Sequence, residues 1–218
     1  MQTVAALAAI AHASGALMHT DAVPAAGWLA LSLAGHKVGA PKGTGALIVR
    51  GRLPLEPVLH GGGQERGRRS GTENVAGAVA FATALRLADA ERADAATRVA
   101  ALAGRFREVV AAAVPDALLT GHPVDRLPGT VSHVFPGTSG EAVLLELERR
   151  DIVCSSGSAC AAGSDEPSHV LTALGMPAEL AQTAVRFTLG ATTTADEVEA
   201  AAASVAEAVS AVRGIVRS

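Results

Sequence analysis

The stretch Ala16–Arg50, ALMHTDAVPAAGWLALSLAGHKVGAPKGTGALIVR, sets what kind of sheet this chain can build. Ala16–Thr20 reads as a short buried strand that ends at Asp21. A second apolar run, from Trp28, ends at His36 and Lys37, and Gly45–Arg50 forms a third strand beyond Gly and Pro turns. Open α/β sheets place ligand groups at the carboxyl ends of their strands, and Asp21 and His36–Lys37 both stand at such ends. Taken alone, Asp21 is more simply a turn or cap residue, and Lys37 is either a surface lysine or an amine held beside the sheet.

On the amino-terminal side, Val4–Ser14 reads as an amphipathic helix capped by Gly15. It has an A-x-A-like end but no basic leader, and His12 and Ser14 interrupt it, so a secretory signal is not expected. On the carboxyl-terminal side, Leu55–His60 reads as a further strand and Gly61–Thr72, GGGQERGRRSGT, as a loop. Val75–Val114 is Ala-rich and free of proline, and predicts one long or bent helix that Pro115 ends. Beyond it strands and helices alternate. Thr130–Phe135 is a half-buried strand, Ser139 caps a helix through Arg149, and Ile152–Cys154 is a short strand. Pro167–Gly175 is a helix with Gly175 as its cap, and Ala184–Leu189 is a strand. Thr194 and Glu197 form a capping box on the last helix, whose Val198, Val205, Val209 and Val212 share one face. This order predicts an α/β or α+β chain with a boundary within the long helix, near Arg92.

Composition fits such a chain: 49% hydrophobic and 18% charged residues, with aromatics at only 2%, describe an aliphatic globular core. Two cysteines make no disulfide framework, and a reducing compartment is expected. No apolar run is long enough to cross a membrane, so a soluble, cytoplasmic protein is expected. The net charge of −3 points to no partner. His36–Arg69, however, holds seven Lys and Arg residues against Glu56 and Glu65 in a Gly-rich stretch. That is either a solvated face or a pocket for an anion such as phosphate. Without interleaved aromatics, nucleic acid is the weaker partner.

Four groups are candidates for chemistry. An acid and a lysine at neighbouring strand ends supply what pyridoxal phosphate needs, a partner for the ring nitrogen and an amine for the imine. The loop at Gly61–Asn74 offers free backbone amides, the Thr72 hydroxyl and three arginines, and reads equally as phosphate-binding or as mobile surface. Arg186 lies inside an apolar strand and must find an anion, either a structural acid or a substrate carboxylate. Finally, Cys154 and Cys160 lie in DIVCSSGSACAAGSDEPSHVL, Asp151–Leu171. Their spacing lacks the second ligand pair of a zinc site. Cys154 ends an apolar strand and reads as a small core residue. Cys160, in a loop of small residues, is the candidate nucleophile.

HTDAVPAAG, AGHKVGAPKGTGALIVR, GGGQERGRRSGTENVAG, SSGSACAAGSDEPSHVL and AVRFTLG resemble, in order, the motifs of pyridoxal-phosphate cysteine desulfurases, class-V members of the fold-type-I aminotransferases. The resemblance implies the C-terminal portion of a large, mostly parallel α/β domain over residues 1–91, followed by a smaller α+β domain, 92–218, with the mobile thiol loop. Lys37 would bind the cofactor covalently and shuttle protons, Asp21 would pair with its ring nitrogen, and His36 would bind its phosphate. Thr72 would serve the phosphate of the other subunit in a homodimer. Arg186 would hold the carboxylate of L-cysteine, and Cys160 would take its sulfur as a persulfide, releasing L-alanine. The sulfur would pass to an iron–sulfur scaffold or another acceptor. No resident metal is implied, beyond transient contact of Cys160 with an iron–sulfur cluster. A selenocysteine lyase-like enzyme is a related alternative.

The chain also departs from the family. Family chains continue upstream of Met1 with further cofactor-binding elements, so the resemblance includes the alternative of a non-catalytic remnant acting in dimerisation or acceptor binding. Pro24 stands where the family has a glutamine, and Ala34 where it often has a serine. The link Gly27–Ser32 is shorter than the family's, which argues against parallel, adjacent strands ending at Asp21 and Lys37.

Overall fold

The computed structural model describes residues 4–21, 30–49, 53–156 and 166–216. The chain divides into two compact units, residues 2–93 and 94–218.

In the first unit α1 (Val4–Ala13) stops at Gly15, whose φ of +71° lets the Gly15 and Ala16 amides turn back to the carbonyls of His12 and Ala11. Strand β1 is only Thr20–Asp21, and Leu17 is 75% exposed, so the buried strand expected from Ala16 is corrected to a two-residue edge. β1 pairs in parallel with β2 (Ala30–Ala34), Thr20 opposite Leu31 and Asp21 opposite Ser32. The expectation that a short link argues against this pairing is therefore also corrected. A pairing two residues long needs a far shorter return path than two full strands.

β2 runs into a single 3-10 turn, Gly35–Val38, and β3 (Gly45–Val49) returns antiparallel with Ala34 opposite Gly45. The sheet order is β1-β2-β3. A Cβ on Gly35 would lie 2.1 Å from Thr44 Oγ1, so only glycine lets the turn close against the start of β3. The strand expected at Leu55–His60 is absent. Pro57 has no N–H for a ladder, and the Leu59 carbonyl accepts the Ser70 N–H instead.

The expected loop after it contains one helical turn, α2 (Gln64–Gly67), in which Glu65 and Arg66 take φ of +50° and +60°. Such left-handed non-glycine residues cost about 1–2 kcal/mol each. The long helix appears as α3 (Val75–Ala113), capped by Asn74, whose Oδ1 accepts the Gly77 N–H at 2.9 Å.

The second unit is built on an antiparallel sheet in the order β4-β5-β6, formed by Leu118–Leu119, Thr130–Val134 and Ala184–Thr188. Val131 faces Phe187 and His133 faces Val185 across the β5–β6 ladder. This face packs on Phe106 and Val110 of α3, on Val143 and Leu147 of α4 (Gly140–Glu148), and on Val198, Val205, Val209 and Val212 of α7 (Ala195–Val216). The Phe106 and Phe187 rings lie 4.8 Å apart. Val134 and Ala184 point to the other face, where they meet Leu171 of α5 (His169–Ala173) and Ala181 of α6 (Ala178–Ala181).

The caps form as expected. Ser139 Oγ accepts the Ala142 N–H, Thr194 and Glu197 bond each other's amides, and Gly175 takes φ of +87°. α5 begins at His169 with Ser168 at its N-cap, so Pro167 lies just before the helix rather than within it. Ile152–Cys154 is not a strand. Only the next residue, Ser155, bridges to Arg186. No helix among the described residues is long and apolar enough to cross a membrane.

Candidate active site

In the first unit, the parallel register of β1 and β2 sets two strand ends on one sheet edge. Asp21 closes β1 and accepts a hydrogen bond from Ser32 Oγ at 3.3 Å, from the residue opposite it in the register. Ser32 was not singled out in the sequence. A Ser two residues before the end of a parallel partner strand is the signal that marks it. β2 ends two residues later, at Ala34, and His36 and Lys37 follow in the 3-10 turn.

Both side chains are exposed, and neither has a hydrogen bond or ion pair among the described residues. The turn is held tightly all the same: the Gly35 N–H donates to the Thr44 carbonyl at 2.8 Å, and the Gly39 N–H closes onto the Gly35 carbonyl. A carboxylate, an imidazole and a primary amine thus hang from the same end of two adjacent parallel strands. Pro24 lies outside the described residues.

Thr72, in the same unit, follows the loop between β3 and α3. Its side chain is exposed and has no hydrogen-bond partner among the described residues. No hydrogen bond joins Thr72 to either strand end among the described residues. One residue before it, the Gly71 N–H donates to Gln64 Oε1 at 2.9 Å.

In the second unit, Arg186 sits in the middle of β6 on the face shared with Ala184, opposite Ser132 of β5. Its backbone is clamped to Ser155 by two hydrogen bonds, Arg186 N–H to the Ser155 carbonyl at 2.6 Å and Ser155 N–H to the Arg186 carbonyl at 3.1 Å. Arg186 is half-buried, with no acid and no side-chain hydrogen-bond acceptor among the described residues. The strand to which Arg186 belongs thus holds Ser155, shortly before the segment of sequence that carries Cys160. A second tie acts one residue on, where Ser156 Oγ donates to Glu141 Oε2 at 3.1 Å at the start of α4. Glu141 escaped the sequence reading, because an acid in the first turn of a helix is explained by the helix dipole alone.

Cys154 is a free thiol, half-buried against the main core. Burial, with a smaller push from Glu148, raises its pKa to about 11, so it stays protonated and unreactive at neutral pH. Cys160, the expected nucleophile, lies outside the described residues.

Known proteins resemble the chain over most of its length. The aminotransferase class-V family matches residues 1–201. A cysteine desulfurase of Gluconacetobacter diazotrophicus is 45% identical over 206 residues, which cover 90% of this chain and 52% of that protein. One from Cereibacter sphaeroides is 43% identical over 206 residues, with the same coverage of 90% and 52%. The chain therefore spans about half the length of the curated relatives it matches. The X-ray structure of a NifS-like protein from Rickettsia africae superposes with a TM-score of 0.86 at 28% identity, covering 96% of this chain and 58% of that one. The α/β architecture, the ordered motifs and the match over residues 1–201 agree: the chain belongs to the aminotransferase class-V family.

Proposed function

We propose that this chain acts in a pyridoxal-phosphate-dependent cysteine desulfurase, taking sulfur from L-cysteine, releasing L-alanine and passing the sulfur to an acceptor protein. The observation that carries the reading is the shared sheet edge of Asp21 and His36–Lys37, created by the parallel pairing of β1 with β2. The donor set there fits the cofactor. Asp21 suits a ring nitrogen that must stay protonated, the Lys37 amine suits an aldehyde carbon, and the His36 imidazole suits a phosphate ester. Bound there, pyridoxal phosphate would supply the electron sink that makes breaking a carbon–sulfur bond feasible.

The chain's own residues do the rest. Lys37 Nζ holds and moves a proton at the substrate carbon. Arg186, half-buried without an acid of its own among the described residues, takes the substrate carboxylate. Cys160, assigned from its motif, attacks the substrate sulfur as a thiolate. A sulfur–sulfur bond forms, the carbon–sulfur pair stays with carbon, and a proton completes alanine. Residues 1–91 act as the cofactor-binding part and 92–218 carry the thiol loop. Thr72 serves the phosphate of a second copy in a homodimer, and an iron–sulfur scaffold is the natural acceptor of the persulfide sulfur. A reducing, cytoplasmic setting keeps such a thiol available.

The purified chain with pyridoxal phosphate should develop the visible absorption of a lysine-bound cofactor and lose it in Lys37→Ala. With L-cysteine and a reductant it should release sulfide. Cys160→Ala should abolish persulfide formation and leave the absorption intact, while Cys154→Ala should change neither. A colourless protein that releases no sulfide sinks the proposal.

A further inference from the structure

The loop between β3 and α3 is held closed in a specific way. Glu65 and Arg66 lie in the left-handed region, between Gly63 at φ +75° and Gly67 at φ +77°. Side chains resist this conformation, so other contacts must hold the turn. Ser70, itself buried, accepts the Gly63 N–H on its Oγ at 3.3 Å, and its own N–H donates to the Leu59 carbonyl at 3.1 Å. The third contact is Gln64 Oε1 with the Gly71 N–H at 2.9 Å. It crosses the whole turn and ends on the residue before Thr72. Room for it is made by Gly62, where a Cβ would meet Gln64 Nε2 at 2.8 Å. Gly71 has φ of +104°, a conformation open to glycine and to little else, and in a free chain it would wander among many alternatives.

We propose that Gln64 is a positioning residue. Through its bond to the Gly71 N–H it fixes the backbone that presents Thr72, and so sets the affinity of the loop for the phosphate group of the cofactor. This rests on the reading that Thr72 takes that phosphate. The strained turn is what brings the Gln64 amide within reach of Gly71. Holding Thr72 in place before a ligand arrives removes an ordering cost from binding.

The test compares Gln64→Leu, which keeps the bulk and removes the acceptor, with Gln64→Glu, which keeps an acceptor oxygen, and with Thr72→Val. Amide hydrogen exchange is followed over Leu59–Asn74 in the full chain without cofactor. Binding of pyridoxal phosphate is then compared with binding of pyridoxal, which lacks the phosphate. Gln64→Leu should speed exchange at Gly71 and Thr72 and weaken pyridoxal phosphate roughly five- to tenfold, the factor for one lost hydrogen bond. Pyridoxal binding should not change, and Gln64→Glu should restore the slow exchange. Unchanged exchange in Gln64→Leu overturns the proposal. So does equal weakening of both ligands, which would mean general damage to the fold. If Thr72→Val weakens pyridoxal phosphate and Gln64→Leu does not, the positioning role fails while the phosphate reading stands. If Thr72→Val binds pyridoxal phosphate like the parent chain, the phosphate reading itself fails, and Gln64 has nothing to position.

Discussion

His133 shows how much one side chain can be altered by the core around it. It is 3% exposed on the core face of β5, beside Arg126 from the preceding loop and Arg107 from α3. Its Nδ1 and Arg126 Nη1 are both buried without a hydrogen-bond partner among the described residues. Burial first, then the two guanidinium groups, lowers the His133 pKa from 6.5 to about 4. The unfolded chain therefore binds a proton between pH 6.5 and 4 that the folded chain refuses, so stability falls as the pH drops through that window. The full effect is about 3 kcal/mol, because each tenfold loss of proton affinity on folding is worth about 1.4 kcal/mol. Urea unfolding at pH 7 and at pH 5 should show the loss, and His133→Val should flatten it. At pH 7 the same variant should be as stable as the parent or more so, because it removes a buried polar atom that bonds to nothing described. An unchanged acid slope in His133→Val would assign the pH sensitivity elsewhere. In the sequence, TVSHVF shows His133 only as one member of an alternating strand. Its environment is made by residues far along the chain, which no local pattern reports. Arg186 is the opposite case: a charge inside an apolar strand is conspicuous in the sequence itself, and the structure places it half-buried in β6.

At the scale of elements, local chemistry was readable wherever an element is decided by its own residues. The long α3 follows from an Ala-rich run bounded by Pro115, and the caps of α4 and α7 from Ser139 and from Thr194 with Glu197. Elements decided by a distant partner were not readable. Leu118–Leu119 becomes a strand only because Val134 and His133 lie beside it, and Leu55–His60, though apolar enough, finds no ladder. Backbone handedness was readable at glycines and much less so elsewhere. Gly175 ends α5 at φ +87° as expected, whereas Asp151 takes φ +60° after α4, a conformation that aspartate tolerates better than most side chains but signals far less clearly than glycine. The two positions make a paired prediction. Gly175→Ala has open space around the new methyl, so its cost is purely one of backbone conformation, about 1–2 kcal/mol. Asp151→Gly removes the same kind of strain and gives back part of it as unfolded-chain freedom, for a net gain of about 0.5–1 kcal/mol. Thermal unfolding should move in opposite directions for the two variants. A Gly175→Ala chain as stable as the parent would count against the left-handed cap.

At the scale of the whole chain, the two units differ in how they are held. In residues 94–218 the core is closed: Phe106, Val131, Phe135, Leu147, Val185 and Val205 are each 2% exposed or less, and three helices cover one face of the sheet. In residues 2–93 the buried apolar side chains among the described residues are only Ala8, Ala40 and Phe81, while Leu47, Ile48, Val58 and Leu59 are exposed. A three-stranded sheet with so little buried surface has little to set against the entropy of ordering its chain. Composition cannot show this asymmetry, because both parts are rich in Ala, Val and Leu. It lies in which faces find a partner. The prediction concerns folding. A chain of residues 94–218 keeps Phe106 and Val110, the part of α3 that packs on the core. It should unfold in one cooperative transition with the helical signal of a folded domain. Residues 2–93 alone should melt without a sharp transition and bind a dye that reports exposed apolar surface. Substituting Phe106→Ala should lower the stability of the 94–218 chain by about 3–5 kcal/mol, since it empties the contact with Phe187 at the centre of that core. If residues 2–93 melt cooperatively by themselves, the first unit has a core of its own and the stability of the chain is not concentrated in the second.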